Sequence, residues 1–229
     1  MQSLDNNTRA FLALVRAGLW EKEVRLLTYG EIEWQEIYRL ATEQSVLGLV
    51  LAGLEHSEVK PPQMLLLQWI GEVQVIEQRN KDMNAFIADL IDKMRKADIY
   101  ALLVKGQGIA QCYEKPYWRC SGDVDFILSE DNYKKAIRFL TPLASKVEEE
   151  IKFSKHIAMT IEGWEVELHG SLHGGLWSSV DCWLDEVQGA IFYRGNVRLW
   201  MNGGTQVFLP EANEDVVYVF AHILEHFFY

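Results

Sequence analysis

Apolar residues recur at intervals of three and four through the first 98 residues, and at intervals of two in much of the remainder. That change of period divides the chain into a helical stretch and a mixed one. Between Asp5 and Ala17, the positions Phe11, Leu12, Leu14 and Val15 form one helical stripe, with Gly18 as its expected stop. From Glu31 to Leu54 a second helical run carries Ile32, Ile37, Leu40, Val46 and Leu49, interrupted only near Gly48 and Gly53. Pro61-Pro62 closes a loop and suits the first turn of the next helix. From Gln63 to Lys96 the apolar positions Leu67, Ile70, Val73, Ile76, Met83, Phe86, Leu90 and Met94 predict one long helix or two nearly collinear ones. Residues 1–98 carry no chemical motif and are expected to be an α-helical lobe.

Strand chemistry begins near Asp98. Ile99 to Val104 suits a buried strand, Lys105-Gly106-Gln107-Gly108 a flexible turn, and Ile109 to Tyr113 a short helix. A second strand, ending at Leu128, contains Asp123-Val124-Asp125, and Ser129 is expected to cap a helix over Glu130 to Leu140 that buries Tyr133, Ile137 and Leu140. Strands are expected at Val147 to Phe153, Ile157 to Ile161 and Trp164 to Leu168, the last two joined by a Glu162-Gly163 turn. A helix-like stretch at Ser179 to Leu184 precedes strands at Val197 to Trp200 and Gln206 to Leu209, and Pro210 is expected to open a last helix over Glu211 to Tyr229. The fold class is therefore α+β: a helical lobe at 1–98, a mixed core at 99–210 and the start of a C-terminal helical region at 211–229.

Composition narrows the function. With 49% hydrophobic and 24% charged residues, the 229-residue chain can bury one large core or two small ones. A formal charge of −11 argues against general nucleic-acid binding, which needs a basic surface to neutralise phosphates. Cys112, Cys120 and Cys182 show no paired metal spacing and leave an odd one out. Without a signal peptide or an apolar run long enough to span a membrane, a reducing cytoplasm is the expected compartment, with no membrane partner.

The chemistry gathers between Lys105 and His169. In a strand, alternate side chains share a face, so Asp123 and Asp125 project together, roughly 7 Å apart at the backbone. Two adjacent carboxylates repel unless a cation lies between them, and a hard cation such as Mg²⁺ suits oxygen ligands. The plainer reading is a turn that leads into a strand. Backbone N–H groups at Gly106 to Gly108 can hold phosphate oxygens, Lys105 can add a point charge and Arg119 a bidentate clamp. Equally, Lys105 can be a solvated strand end, and Arg119 can pair with Glu114 or Asp123. Glu165 and Glu167 share one strand face, either as a source of a third carboxylate or as a solvent-facing ladder. Gly170 and Gly174-Gly175 place His169 and His173 in a loop rather than on one helical turn, and His169 is a candidate for contact with a phosphate or a substrate hydroxyl. In the last helix, His222-Ile223-Leu224-Glu225-His226 matches the H-x-x-E-H zinc signature, with His222 and His226 as ligands and Glu225 as base.

Val104-Lys105-Gly106, Tyr113, Pro116, Arg119 and Gly122-Asp123-Val124-Asp125 together resemble the bacterial "uncharacterised nucleotidyltransferase" family, within the polymerase-β-like nucleotidyltransferase superfamily. The resemblance extends more weakly from about Leu90 to the C-terminus, with Lys-Gly-Gln standing where Gly-Ser or Gly-Gly is usual. It implies a helical lobe packed on a nucleotidyltransferase core, whose mixed sheet is flanked by helices, with further helices after residue 229. Val166-Glu167-Leu168-His169 is similar to the family's apolar–acidic–apolar–His string, which implies Glu167 as the third carboxylate, with Glu165 as runner-up. Asp123, Asp125 and Glu167 would then hold Mg²⁺ or Mn²⁺. Lys105, Gly106, Gln107, Gly108, Arg119, Gly122 and His169 would grip the nucleotide, expected to be ATP. The acceptor, a hydroxyl on a small molecule, a protein or an RNA end, stays open, as do a protein partner and the oligomeric state. Two other readings are a member that binds nucleotide without turnover and a zinc hydrolase using His222, Glu225 and His226.

Overall fold

The computed structural model describes residues 4–173 and 177–228, with side chains as far as residue 224. It forms two compact units, residues 1–82 with 110–121, and residues 83–109 with 122–229.

The first unit is helical. Helix α1 (Asn6–Trp20) starts at Asp5, whose carboxylate accepts from Thr8 N at 3.0 Å and so satisfies one of the unpaired donors of the first turn. Helices α2 (Trp34–Glu43) and α3 (Leu47–Glu55) come next, and then the opening turns of α4 (Gln63–Lys96). Leu14, Leu26, Ile37, Val50 and Trp69 are fully buried at its centre. The run expected over Glu31 to Leu54 is broken at 44–46 rather than at its glycines. Ser45 takes a left-handed φ of 54°, and Val46 N closes back on Ala41 O at 2.9 Å, a helix stop usually built on glycine. Gly18 likewise does not end α1; Glu21 does, at φ 49°.

The glycines serve close approach instead. A Cβ on Gly18 would lie 2.0 Å from Leu49 O, and one on Gly53 would lie 2.1 Å from Leu14 O, so α1 and α3 touch backbone to backbone. Gly53→Ala is expected to destabilise the protein by about 1–3 kcal/mol, because neither backbone can yield. A urea melt in which the substitution leaves the midpoint of this unit unchanged would show that the two helices have room to separate.

The second unit is α+β, built on a seven-stranded mixed sheet in the order β3-β4-β5-β2-β1-β7-β6. Its strands are β1 (Ala101–Val104), β2 (Val124–Leu128), β3 (Lys146–Val147), β4 (His156–Ile161), β5 (Trp164–His169), β6 (Val197–Asn202) and β7 (Thr205–Pro210). The β2–β5 and β1–β7 pairs are parallel and the others antiparallel. Parallel central strands are buried on both sides, and all four residues of β1 and all five of β2 are buried. On one face Leu103, Val124, Phe126 and Leu168 pack with Met83, Ile87, Leu90 and Met94 of α4 and with α6 (Glu130–Leu140). On the other, Leu102, Val104 and Ile127 pack with Leu184 and Ile191 of α7 (Ser178–Arg194) and Tyr218 of α8 (Ala212–Phe228).

Helix α4 is one continuous helix, and α6 has the expected bounds. Several other boundaries differ. The helix expected at Ile109 begins at Gly106, as α5 (Gly106–Ala110). The strand expected over Val147 to Phe153 shrinks to β3 and an isolated bridge between Ile151 and His156, since Glu148, Glu149 and their neighbours are exposed at a sheet edge. Helix α7 runs ten residues beyond Leu184, to Arg194, because Leu184, Val187, Ala190 and Ile191 extend its buried stripe. Ser129 precedes α6 but makes no capping bond; its hydroxyl accepts from Asn132 Nδ2. Pro210 closes β7 rather than opening α8, and its carbonyl accepts from Arg198 Nε. No helix among the described residues is long and apolar enough to cross a membrane.

Candidate active site

Asp125 is the centre of the site. Period two puts it on the sheet face opposite Phe126, and register puts it between Val104 of β1 and Glu167 of β5. Its carboxylate is fully buried. Oδ1 accepts from Lys105 Nζ at 2.7 Å and lies 3.0 Å from His169 Nε2. Oδ2 is also buried and has no hydrogen-bond partner. Lys105 reaches this position because, at φ 53°, the chain leaves β1 in a left-handed turn. Gly106 follows at φ 24°, where a Cβ would come within 3.3 Å of Asp123 O.

The pair β4–β5 supplies the rest. Glu162 and Gly163 both have positive φ, 51° and 84°, as a two-residue hairpin turn requires. That turn pairs Ala158 with Glu167 and His156 with His169. Glu167 Oε2 consequently lies 3.3 Å from His156 Nε2 and 3.4 Å from His169 Nε2, and the two imidazole rings stack at 4.8 Å. A cavity of about 350 Å³ opens above them, lined in part by Lys105, Asp123, Ser171, Tyr218 and His222.

The electrostatics arise from crowding. Burial, and then the negative charges of Asp125 and Glu167, push the Asp123 carboxyl above its ordinary range. Contact with His156, and next with His169, holds Glu167 far below the usual carboxylate range. For His169, burial opposes the charged ring, but hydrogen bonds to Asp125 and Glu167 outweigh it and raise its pKa.

Carboxylate oxygens of Asp123, Asp125 and Glu167 all lie within 4.8 Å of one another. Three converging carboxylates, one with an unpartnered buried oxygen, fit a hard divalent cation. The structure therefore brings together Lys105, Gly106, Asp123, Asp125, Glu167 and His169. Gly122 leads directly into Asp123, with open space where a Cβ would stand. Gln107 is buried, and its amide reaches Met83 Sδ at 3.5 Å. Gly108 packs against Leu209, whose Cδ2 would be 3.2 Å from a Cβ there. Arg119 belongs to the first unit, where its guanidinium donates to Ser121 Oγ at 2.8 Å. Glu165 is exposed and pairs with Thr160. His173 lies in a loop and contacts Asp185 at 2.8 Å. Of the H-x-x-E-H set, the ring of His222 lies 6.4 Å from that of Tyr218, while the side chains of Glu225 and His226 lie outside the described residues.

Two contributors carry no motif in the sequence, His156 and Tyr218. His156 was legible in principle: counting outward from a two-residue turn at Glu162-Gly163 sets it opposite His169. Tyr218 had no such signal, since its placement depends on how α8 lies on the sheet.

A family model described as "Uncharacterised nucleotidyltransferase" matches residues 30–229. Among solved structures, a provisionally assigned nucleotidyltransferase from Thermotoga maritima shares 16% identity, over 63% of this chain and 88% of that one, with a TM-score of 0.46. No curated protein matches.

Proposed function

Because this chain belongs to the uncharacterised nucleotidyltransferase family, we propose that it transfers a nucleoside monophosphate from an NTP, with ATP as first candidate, to an acceptor hydroxyl, in a metal-dependent reaction. The observation that carries this reading is the convergence of Asp123, Asp125 and Glu167 within 4.8 Å, beside Lys105. These carboxylates would hold Mg²⁺ or Mn²⁺, which supplies charge neutralisation for the triphosphate and the departing pyrophosphate.

The chain's own groups divide the remaining work. Lys105 now neutralises Asp125 and can transfer its ammonium to a phosphate oxygen once that carboxylate has another cation. The backbone at Gly106 and Gly122 lets a triphosphate approach Asp123 without meeting a side chain. His169 orients Asp125 and Glu167 together. Glu167 is a better ligand than base, because a carboxylate held so far below its ordinary pKa accepts a proton poorly. The part assigned to Arg119 rests on the family motif alone. The net charge of −11 disfavours broad nucleic-acid binding, so the acceptor is sought first among small molecules and proteins.

Incubation with [α-³²P]ATP and Mg²⁺, against size-fractionated lysate, tests the reading. Label is expected to reach one acceptor fraction with the parent and not with Asp123→Asn. Retained ATP binding with no transfer from any fraction would favour a member that binds nucleotide without turnover.

A further inference from the structure

We propose that His156, Glu167 and His169 form a second metal site, one that takes a borderline divalent cation of the Zn²⁺ class in the absence of nucleotide. The site goes beyond nucleotidyl transfer and shares only Glu167 with the oxygen-only set. One ring nitrogen from each imidazole and one carboxylate oxygen lie within 4.8 Å of one another. Imidazole nitrogen selects zinc and its neighbours in the transition series over Mg²⁺, which prefers oxygen throughout.

Two of the three ligand pairs stand at four-coordinate spacing. With metal–nitrogen bonds of about 2.0–2.1 Å, ligand atoms in a tetrahedral shell stand about 3.3–3.4 Å apart, against about 2.9 Å in an octahedral one. Glu167 Oε2 lies 3.3 Å from His156 Nε2 and 3.4 Å from His169 Nε2. The first of these contacts is not a hydrogen bond of good geometry, for His156 Nε2 is buried with no hydrogen-bond partner. The backbone fixes the arrangement. Glu167 and His169 are two apart on β5 and so share a face, and His156 is the direct cross-strand neighbour of His169. Metal on His169 Nε2 would displace its proton and its 3.0 Å contact with Asp125 Oδ1, while the strand register that sets the three residues together is kept. A fourth position faces the cavity that all three residues line, where water or a substrate oxygen can enter.

The test uses tag-free, chelator-treated full chain, titrated with Co²⁺ without nucleotide, followed by visible absorption and by calorimetric competition with Zn²⁺. One equivalent with the intense d–d bands of a tetrahedral centre is expected. His156→Ala and His156→Gln should each weaken binding by more than the roughly 10–100-fold that loss of an outer-sphere partner causes. Asp123→Asn should leave the bands in place, since its carboxylate belongs to the oxygen-only set. Far-ultraviolet circular dichroism of each variant identifies any that fails to fold, and the two substitutions at His156 guard against that loss. Absence of a Co²⁺ site in the parent overturns the proposal. So does equal binding in folded His156 variants, or loss of the bands in Asp123→Asn or His222→Ala with retention in His156→Ala. Because no nucleotide is present, these outcomes are separate from success or failure of the transferase assay.

Discussion

Glu167→Gln is expected to lower nucleotidyl transfer by about 10³-fold or more, a transition-state loss of about 4 kcal/mol, while Glu165→Gln keeps most of the activity. Period two puts both glutamates on one strand face, so alternation cannot separate them. Register does. Asp125 pairs with Glu167 across β2 and β5, and this parallel ladder begins at Val124 and Val166. Glu165 therefore lies beyond the ladder's first pair and is exposed, with Thr160 as its partner on β4. Of the two glutamates, Glu167 is the one that places an oxygen within 4.8 Å of carboxylate oxygens of both Asp123 and Asp125. ATP affinity should be largely kept in Glu167→Gln, since the phosphate-side groups Lys105 and Gly106 are untouched. The decisive measurement is label transfer together with ATP titration of both variants. An inactive Glu165→Gln alongside an active Glu167→Gln would reverse the assignment.

Asp123→Asn is expected to eliminate nucleotide-linked Mg²⁺ binding and transfer, yet to leave the fold as stable as the parent or more so. Three carboxylates are too few for a dedicated Mg²⁺ cage, so the cation should bind well only when triphosphate oxygens complete its shell. Calorimetry with and without ATP should show that dependence in the parent and its loss in the variant. The stability expectation has its own cause. Burial, and then the charges of Asp125 and Glu167, raise the pKa of Asp123 in the folded protein. A carboxyl raised on folding is favoured in its neutral form, so its contribution is favourable at low pH and is lost as pH rises through the folded value. Asparagine keeps the shape and removes the charge. Asp125→Asn should behave in the opposite way, because Lys105, at 2.7 Å, would lose the anion that balances its own burial. Urea melts at neutral pH separate the two. A loss of stability in Asp123→Asn matching that in Asp125→Asn would mean that the two carboxylates are equally satisfied, contrary to the geometry.

The helical first stretch, the long α4, the bounds of α6 and the hairpin at Glu162-Gly163 were all legible in the chain, because each depends on local period or turn chemistry. The nearness of Asp123 to Asp125 was legible as well, although β2 begins only at Val124 and Asp123 precedes it, and the family string pointed to Glu167 as their neighbour. Several other helix ends were not legible. Glu21, Ser45 and Asp98 hold left-handed conformations that sequence rules reserve for glycine, while Gly18, Gly48 and Gly53 lie inside helices. Those glycines answer to a neighbouring backbone, Leu49 O, Trp118 O and Leu14 O, which no local pattern contains.

The sequence by itself determined which residues can carry the chemistry, since side-chain type and a spacing of two along a strand are local properties. Only the tertiary structure decided which of them meet. Parallel pairing of β2 with β5 chose Glu167 over Glu165, and the left-handed turn at Lys105 sent its ammonium to Asp125. Sheet register set His156 against His169; burial and then neighbouring charge raised the pKa of Asp123, while contact with His156 and His169 lowered that of Glu167. Each of these depends on residues distant in the chain sharing one poorly solvated volume, where the energy of a charge is set by its neighbours in space.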